Sequence, residues 1–471
     1  MNTPQMPQLS RLALTLGAAL AVCAAQASEQ EVRVAAPPAA EPASGPTSGP
    51  PSASPTPGDW AQGLSLQGSG FGTLGWARSN RDWAYQRFID RDGTFKSDTL
   101  LGGQLDLKMG DQWSATVQLT LSPHASDEHR WQLQPSWAFV AWRPNNDWLL
   151  RAGKLRVPIF FRSEQMDVGA TYDEVRLPPE IYGIAPTQDL TGAHITRSWA
   201  VGQGDLNFDI YLGRAHQTQR SWLREGLPGA VNPGPYYVDI NTDAVGAVAT
   251  WTDDSSKFRL GVHRVNVSRR NGAGLPVPPT WVELVPGSGI GYWKTDTSLP
   301  GPGVEMVDAI QNAVYIVGTE FKPGPAWKVI AELGRIQQRN TERSIDSLQA
   351  YVSLFREIDA FTPYLTLSRV QSTHKSRDWV KKLEETTVPS WVDGTGMLNA
   401  SMRLAADGVP VYDQYSIALG SSYSLSPTSK LKAEWLHTRA KASGMFDLPP
   451  AAKLFQPRSV DVLSVNYSFV F

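Results

Sequence analysis

The sequence predicts an all-β protein: a closed antiparallel transmembrane β-barrel of about 16 strands, with a long loop folded into the lumen. Three observations carry this prediction. Apolar and polar residues alternate with a period of 2 in segments of about ten residues, the mark of strands with one apolar and one polar side. The connections between these segments alternate short and long. The chain also ends on a strand, SVDVLSVNYSFVF, whose apolar positions recur at every second residue to Phe471.

The chain has 471 residues and opens on an apolar run, Leu12 to Ala25, after the single basic residue Arg11. Ala25-Gln26-Ala27 follows, so residues 1–27 read as a cleaved secretory signal peptide. Cleavage before Cys23 as a lipoprotein is the alternative, with Val22 bulky where a small residue is wanted. Cys23 is the only cysteine, so the mature chain uses neither disulfides nor thiols. Residues 28–58 are rich in Pro, Ala, Ser and Gly and read as an extended periplasmic tether. Residues 59–471 form the barrel, and its loop 157–189 is the candidate constriction.

No later apolar run approaches the length of a spanning helix. Yet the chain holds 17 Trp, 14 Tyr and 15 Phe, and only 19% of its residues are charged. A barrel hides its membrane signal in alternating positions, which hydropathy windows miss. The net charge of −2 argues against bulk binding of nucleic acid.

The expected strands are 63–79, 97–109, 112–122, 133–143, 147–156, 190–202, 204–214, 242–252, 256–267, 312–322, 326–337, 345–356, 359–371, 412–425, 428–441 and 459–471. Short turns such as Gly110-Asp111 and Ser426-Pro427 alternate with long connections at 80–96, 157–189, 215–241, 268–311 and 372–411. A bacterial barrel sorts its loops by end in this way; a soluble sandwich has no reason to. Trp113, Trp148 and Trp327 each begin a strand after a short turn, where an aromatic girdle meets the headgroups. Leu463, Val465, Tyr467, Phe469 and Phe471 share one face of the last strand, an apolar edge that closure against the first strand would remove. Their spacing resembles the assembly signal of Gram-negative outer-membrane barrels, which implies recognition by the barrel assembly machinery.

The loop 157–189 has no sustained period and carries Phe160, Phe161, Tyr172 and Tyr182 among charged residues, so it reads as packed rather than solvated. With the strand before it, it supplies the candidate constriction: Arg151, Lys154, Arg156, Arg162, Glu164, Asp167, Asp173, Glu174, Arg176 and Glu180. Alternation places Lys257, Arg259, Lys328, Lys430 and Lys432 on a basic lumen wall, diluted by Glu332 and Glu434. A basic wall facing an acidic loop would set up a transverse field that orients polar solutes. At the far end of the upward strands, Arg264, Arg335, Arg369 and Arg439 follow apolar outward positions. They form a candidate rim for lipopolysaccharide phosphates, with snorkelling of long side chains as the plainer reading.

Gly68 to Trp76 (GSGFGTLGW), Arg151 to Pro158 (RAGKLRVP) with its long following loop, and the terminal Phe471 together resemble a porin. The resemblance covers most of residues 59–471 and is nearest to the phosphate-selective porin O and P family and its less specific relatives. It implies a sixteen-stranded barrel, a homotrimer, and a constricting loop after the fifth strand. Between Arg151 and Tyr182, five basic residues are matched by five acidic ones, a departure from that family's cation ladders.

The expected function is passive diffusion of small hydrophilic solutes through the outer membrane, with a preference for anions. An outer-membrane lipase or protease and a soluble secreted sugar-binding β-protein are the alternatives. Signals for catalysis are poor. His124 and His129 lack further ligand spacing, no Gly-x-Ser-x-Gly element occurs, and neither metal nor cofactor is expected.

Overall fold

The computed structural model describes residues 63–184, 189–277, 280–341 and 345–471. The expected signal peptide and tether lie outside the described residues.

Nine strands of the wall come first: β1 (Leu64–Ser79), β2 (Leu100–Met109), β3 (Trp113–Pro123), β4 (Trp131–Asn145), β5 (Trp148–Arg156), β6 (Asp189–Val201), β7 (Gly204–Leu223), β8 (Gly234–Thr252) and β9 (Ser256–Arg269). Short strands β10 (Leu275–Pro276), β11 (Thr280–Val285), β12 (Ile290–Lys294) and β13 (Met306–Val307) stand apart as two small two-stranded sheets, the hairpin β11–β12 and, flanking it in the chain, β10 with β13. The wall resumes with β14 (Ile310–Gly324), β15 (Trp327–Gln338), β16 (Ser347–Arg356), β17 (Phe361–Ser372), β18 (Asp413–Ser426), β19 (Ser429–Ala442) and β20 (Arg458–Val470). Sixteen strands pair antiparallel in chain order, and β20 closes on β1. Phe471 adds the last rung, exchanging both backbone hydrogen bonds with Gly70 at 2.8 and 2.9 Å.

The side chains are sorted inside out. Along β7, Phe208, Ile210 and Leu212 are exposed on the outer face, while Asp209 and Tyr211 are buried inside. Leu260 and Val262 on β9, Leu365 and Leu367 on β17, and Leu463, Val465 and Tyr467 on β20 continue the exposed apolar band. A soluble protein does not leave so large an apolar surface to water; lipid is the solvent that suits it. Trp113, Trp142, Trp148, Trp199, Trp327, Phe361 and Tyr423 face outward near the short turns, forming an aromatic girdle at that end. Arg197 lies over the rings of Trp148 and Trp199, at 4.9 and 5.5 Å, its charge kept at that edge.

The long connections hold more structure than expected. β7 and β8 run on well past 214 and before 242, so the loop 215–241 is largely hairpin. The apolar alternation stops there because the outward positions have left the band. Arg214–Asp243, His216–Asn241 and Thr218–Asp239 pairs replace it, and the backbone ladder continues beneath them. The connection 372–411 forms two helices, His374–Glu385, capped by Thr373, and Thr395–Asp407. They pack with the β11–β12 hairpin around Tyr292, Trp379, Leu383, Leu398 and Met402. Buried Arg224 ties this cap to β7: its guanidinium donates to both oxygens of Glu384 at 2.8 and 2.7 Å and, through Nε, to Asp407 at 2.5 Å.

Candidate functional site

After β5 the chain leaves the wall at Pro158 and folds into the barrel. Residues 157–184 make three short helical turns, Ser163–Gln165, Gly169–Thr171 and Pro179–Tyr182. Val157, Ile159, Phe160, Phe161, Leu177, Ile181 and Ile184 are buried in one cluster with Ile316, Ile330, Tyr351, Phe355 and Tyr364 of the opposite wall. Apolar packing therefore seats the segment against β14 to β17. The wall makes room for it: a Cβ added to Gly318 would lie 2.5 Å from the Phe161 ring.

Polar anchors set its position. Glu332 on β15 accepts from Phe161 N–H at 2.9 Å and from Tyr182 Oη at 2.8 Å. Burial, with Glu332 beside it, pushes the Tyr182 phenol well above its usual pKa, so it remains a donor. Tyr364 Oη donates to Glu434 at 2.8 Å and accepts from Val175 N–H at 3.0 Å. Asp173 accepts from Lys328 at 2.8 Å, Lys430 at 2.7 Å and Ser422 at 2.9 Å. Burial by itself would raise the Asp173 carboxyl, but the two ammonium groups hold it well below the usual carboxylate range. Glu180 is fully buried and accepts from Ser368 and Gln414, at 2.7 and 2.8 Å, and from Ser416.

The predicted constriction residues divide into several groups. Arg162 is buried inside the segment, 2.7 Å from Glu174, with its guanidinium 5.5 Å from the centre of the Tyr172 ring. Arg176 makes a bidentate bond to Asp98 at 3.0 and 2.6 Å, a partner nothing in the sequence pointed to. Arg156 bridges Asp167 and Asp189 at 2.8 and 2.7 Å. Glu164 is partly exposed, 3.6 Å from Arg259. Arg151 faces the lumen, and its Nε has no hydrogen-bond partner.

Lys154 is a correction. It stands opposite Ala138 and Thr191 and shares the parity of the exposed Trp148, so it is on the outer face, donating to Pro135 O at 2.6 Å. Period 2 alone separates it from Arg151, and grouping the charges of one stretch overlooked that.

The basic wall does face the lumen, but most of it touches the inserted segment directly rather than across a gap. Lys432 is 1% exposed and donates to the carbonyls of Gly169 and Glu174 at 2.6 and 2.9 Å. Arg259 holds the carbonyls of Phe160 and Phe161 at 3.0 and 3.1 Å. Lys328 and Lys430 are bound to Asp173. Lys257 makes no ion pair among the described residues; its ammonium lies 5.1 Å from the Phe161 ring centre. Among the described residues, no cluster of His, Cys, Asp or Glu is arranged to hold a metal ion.

At the loop end, Arg369 and Arg439 both stand opposite Tyr415, and Arg264 and Arg335 lie two strands apart on either side of β14. Two of the four are already paired, Arg335 with Asp346 at 2.5 Å and Arg369 with Asp413 at 3.1 Å.

No protein-family model and no curated protein sequence matches the chain. Solved structures of similar shape include the outer-membrane channel DcaP of Acinetobacter baumannii, at 10% identity over 87% of this chain and 98% of that one, TM-score 0.48. The anion-selective porin from Comamonas acidovorans is 11% identical over 87% of this chain and all of that one, TM-score 0.46. Pseudomonas putida OprB at high pH is 10% identical over 87% and 95%, TM-score 0.45. At these identities and TM-scores the likenesses carry no argument; the barrel and its closure rest on the strand ladder above.

Proposed function

We propose that the protein is an outer-membrane porin through which small hydrophilic solutes diffuse passively, with a preference for anions. The observation that carries this reading is a closed barrel, apolar outside and polar inside, with a segment of its own chain anchored across the lumen. Such a plug narrows a pore without sealing it chemically, and selectivity then follows from width and lining charge. Arg151 and Lys257, lumen cations without an ion pair among the described residues, are the residues we assign to ion preference. In this reading residues 1–27 are removed on export and 28–58 tether the barrel in the periplasm. The short turns face that compartment, and the barrel assembly machinery recognises the Phe471 strand. The resemblance to the phosphate-selective porin family supports a homotrimer; the evenly matched charges between Arg151 and Tyr182 do not favour phosphate selectivity.

The test is single-channel recording in planar bilayers, with reversal potentials in a salt gradient. Open steps with anion preference are expected, and Arg151→Glu is expected to move the reversal potential toward cations. Absence of any conductance from correctly folded barrels would refute the porin reading; an unmoved reversal potential would remove Arg151 from selectivity.

A further inference from the structure

The lumen on the loop side of the inserted segment is largely apolar, with Arg87, Arg220, Arg269, Asp296 and Asp393 among its lining, and a pore for hydrophilic solutes alone does not require so much apolar wall. The inward face of β9 shows the change. From the turn end it reads Lys257, Arg259, Gly261, His263, Val265, Val267, Arg269, so aliphatic side chains stand between the cations of the turn side and one cation at the loop end. Ile240 on β8, Val314 on β14 and Ile336 on β15 also face inward, toward the same space. With Phe160 and with Leu398 and Leu404 of helix Thr395–Asp407, they line a chamber of about 1290 Å³. Inward positions of a water-filled barrel are ordinarily polar. Apolar walls at this level place a large hydrophobic surface where a solute must pass.

A second chamber, of about 320 Å³, lies on the turn side of the same segment. Arg151, Lys257 and Arg259 line it, together with Glu164 and Asp209. Asp209 is occupied by His194 and Thr196, at 3.0 and 2.7 Å, and Glu164 faces Arg259. That leaves Arg151 and Lys257, with Arg143 at the turn end of β4, as lining cations without an ion pair among the described residues. Residues 159–164 separate the two chambers, with Ile159 and Phe160 on the apolar side and Glu164 on the cationic side.

We propose that the apolar chamber is a binding site for the hydrocarbon part of an amphipathic organic anion, an aryl or alkyl carboxylate. Arg151 and Lys257 draw its carboxylate toward the turn side. Burial of the hydrocarbon favours entry, because apolar surface leaves water, and the cations beyond Phe160 give the anion its direction of travel. The carboxylate half of this assignment rests on the pore reading. Binding in the chamber does not require conduction.

The experiment uses the full-length protein in lipid nanodiscs, with 3-phenylpropionate as the probe. Propionate carries the same head without the ring, and 3-phenylpropanol the same ring without the charge. Binding is read by isothermal titration calorimetry, with empty nanodiscs subtracted. We expect 3-phenylpropionate to bind at least tenfold tighter than either control, and Ile336→Asn to weaken it at least fivefold. Val314→Thr, nearly isosteric, serves as a second variant should Ile336→Asn fail to fold, and is expected to weaken binding in the same direction. Lys257→Gln should narrow the gap between 3-phenylpropionate and 3-phenylpropanol and leave 3-phenylpropanol binding as it was. Equal binding of propionate and 3-phenylpropionate, or full affinity in folded chamber variants, overturns the hydrocarbon site. Equal binding of the alcohol and the acid overturns the anionic assignment. Binding with no conductance in planar bilayers would sink the pore reading and leave the site standing; conductance with no binding would do the reverse.

Discussion

Replacing Asp173 by asparagine isolates the electrostatic anchor of the inserted segment. The carboxylate accepts from Lys328, Lys430 and Ser422 within 2.9 Å, and its side chain is 9% exposed, against 14% and 22% for the two lysines. Asparagine keeps the shape and one acceptor but leaves two ammonium groups facing a neutral amide and each other. Removing one partner of a buried pair costs about 3–5 kcal/mol; partial exposure of the lysines lowers this to about 2–4 kcal/mol. Since about 1.4 kcal/mol is a factor of ten, the detached population of the segment should rise about a hundredfold. The barrel's own ladder is untouched, so the effect is local. Hydrogen exchange in residues 157–184 should accelerate while strand amides stay protected, and open-channel current should become noisier. The triple variant Asp173→Asn, Lys328→Gln, Lys430→Gln removes all three charges of this anchor together and should recover part of the protection. Unchanged exchange and unchanged noise in Asp173→Asn would refute the anchoring argument. The pH dependence has a definite sign. The folded-state pKa of Asp173 is depressed, so its contribution is fully present above the unfolded value, about 3.9. It is lost only as pH falls through the lower folded value, so the difference in noise between the parent and Asp173→Asn should stay constant from pH 8 down to about 4.

Gly318→Val places carbon where the Phe161 ring already lies 2.5 Å from a Cβ, so the segment must shift; an altered single-channel conductance is expected, and an identical one would locate Phe161 elsewhere. Deleting Phe471 removes the rung with Gly70 and the apolar residue that follows β20, and should lower the yield of heat-modifiable barrel at native expression. Arg264→Gln with Arg439→Gln should reduce co-purifying lipopolysaccharide more than Arg335→Gln with Arg369→Gln, because the latter two are already paired, Arg335 with Asp346 and Arg369 with Asp413, which Arg377 shares. Equal losses from both pairs would count against a phosphate-binding role set by free charge.

Alternation was enough to find all sixteen wall strands, because lipid on one side and a polar lumen on the other impose a choice at every residue. Where that choice lapses, so did the reading. The outward polar pairs of β7 and β8 above the apolar band looked like loop, although the backbone ladder continued through them. The cap helices of 372–411 were missed for a related reason: their apolar face meets Tyr292 and Trp293 of a hairpin far off in sequence, so no local barrel period announces them.

The candidate site divides along the same line. The residues with inward parity were legible: Arg151, Lys257, Arg259, Lys328 and Lys432 all face the lumen, and Lys154 departs from the set because parity was not applied to it. Which of those charges meet solute and which are consumed by the chain's own loop was not legible. Lys432 on Glu174 O, Asp173 between two lysines, and Arg176 on Asp98 are contacts between residues 258, 155 and 257, and 78 positions apart. What the sequence by itself determined is the wall, since a strand's two faces are set by its neighbours in the chain and by the solvent each must meet. What only the tertiary structure decided is the lumen. There the inserted segment is fixed by which distant side chains can satisfy its buried polar groups, and no local pattern encodes such a pairing.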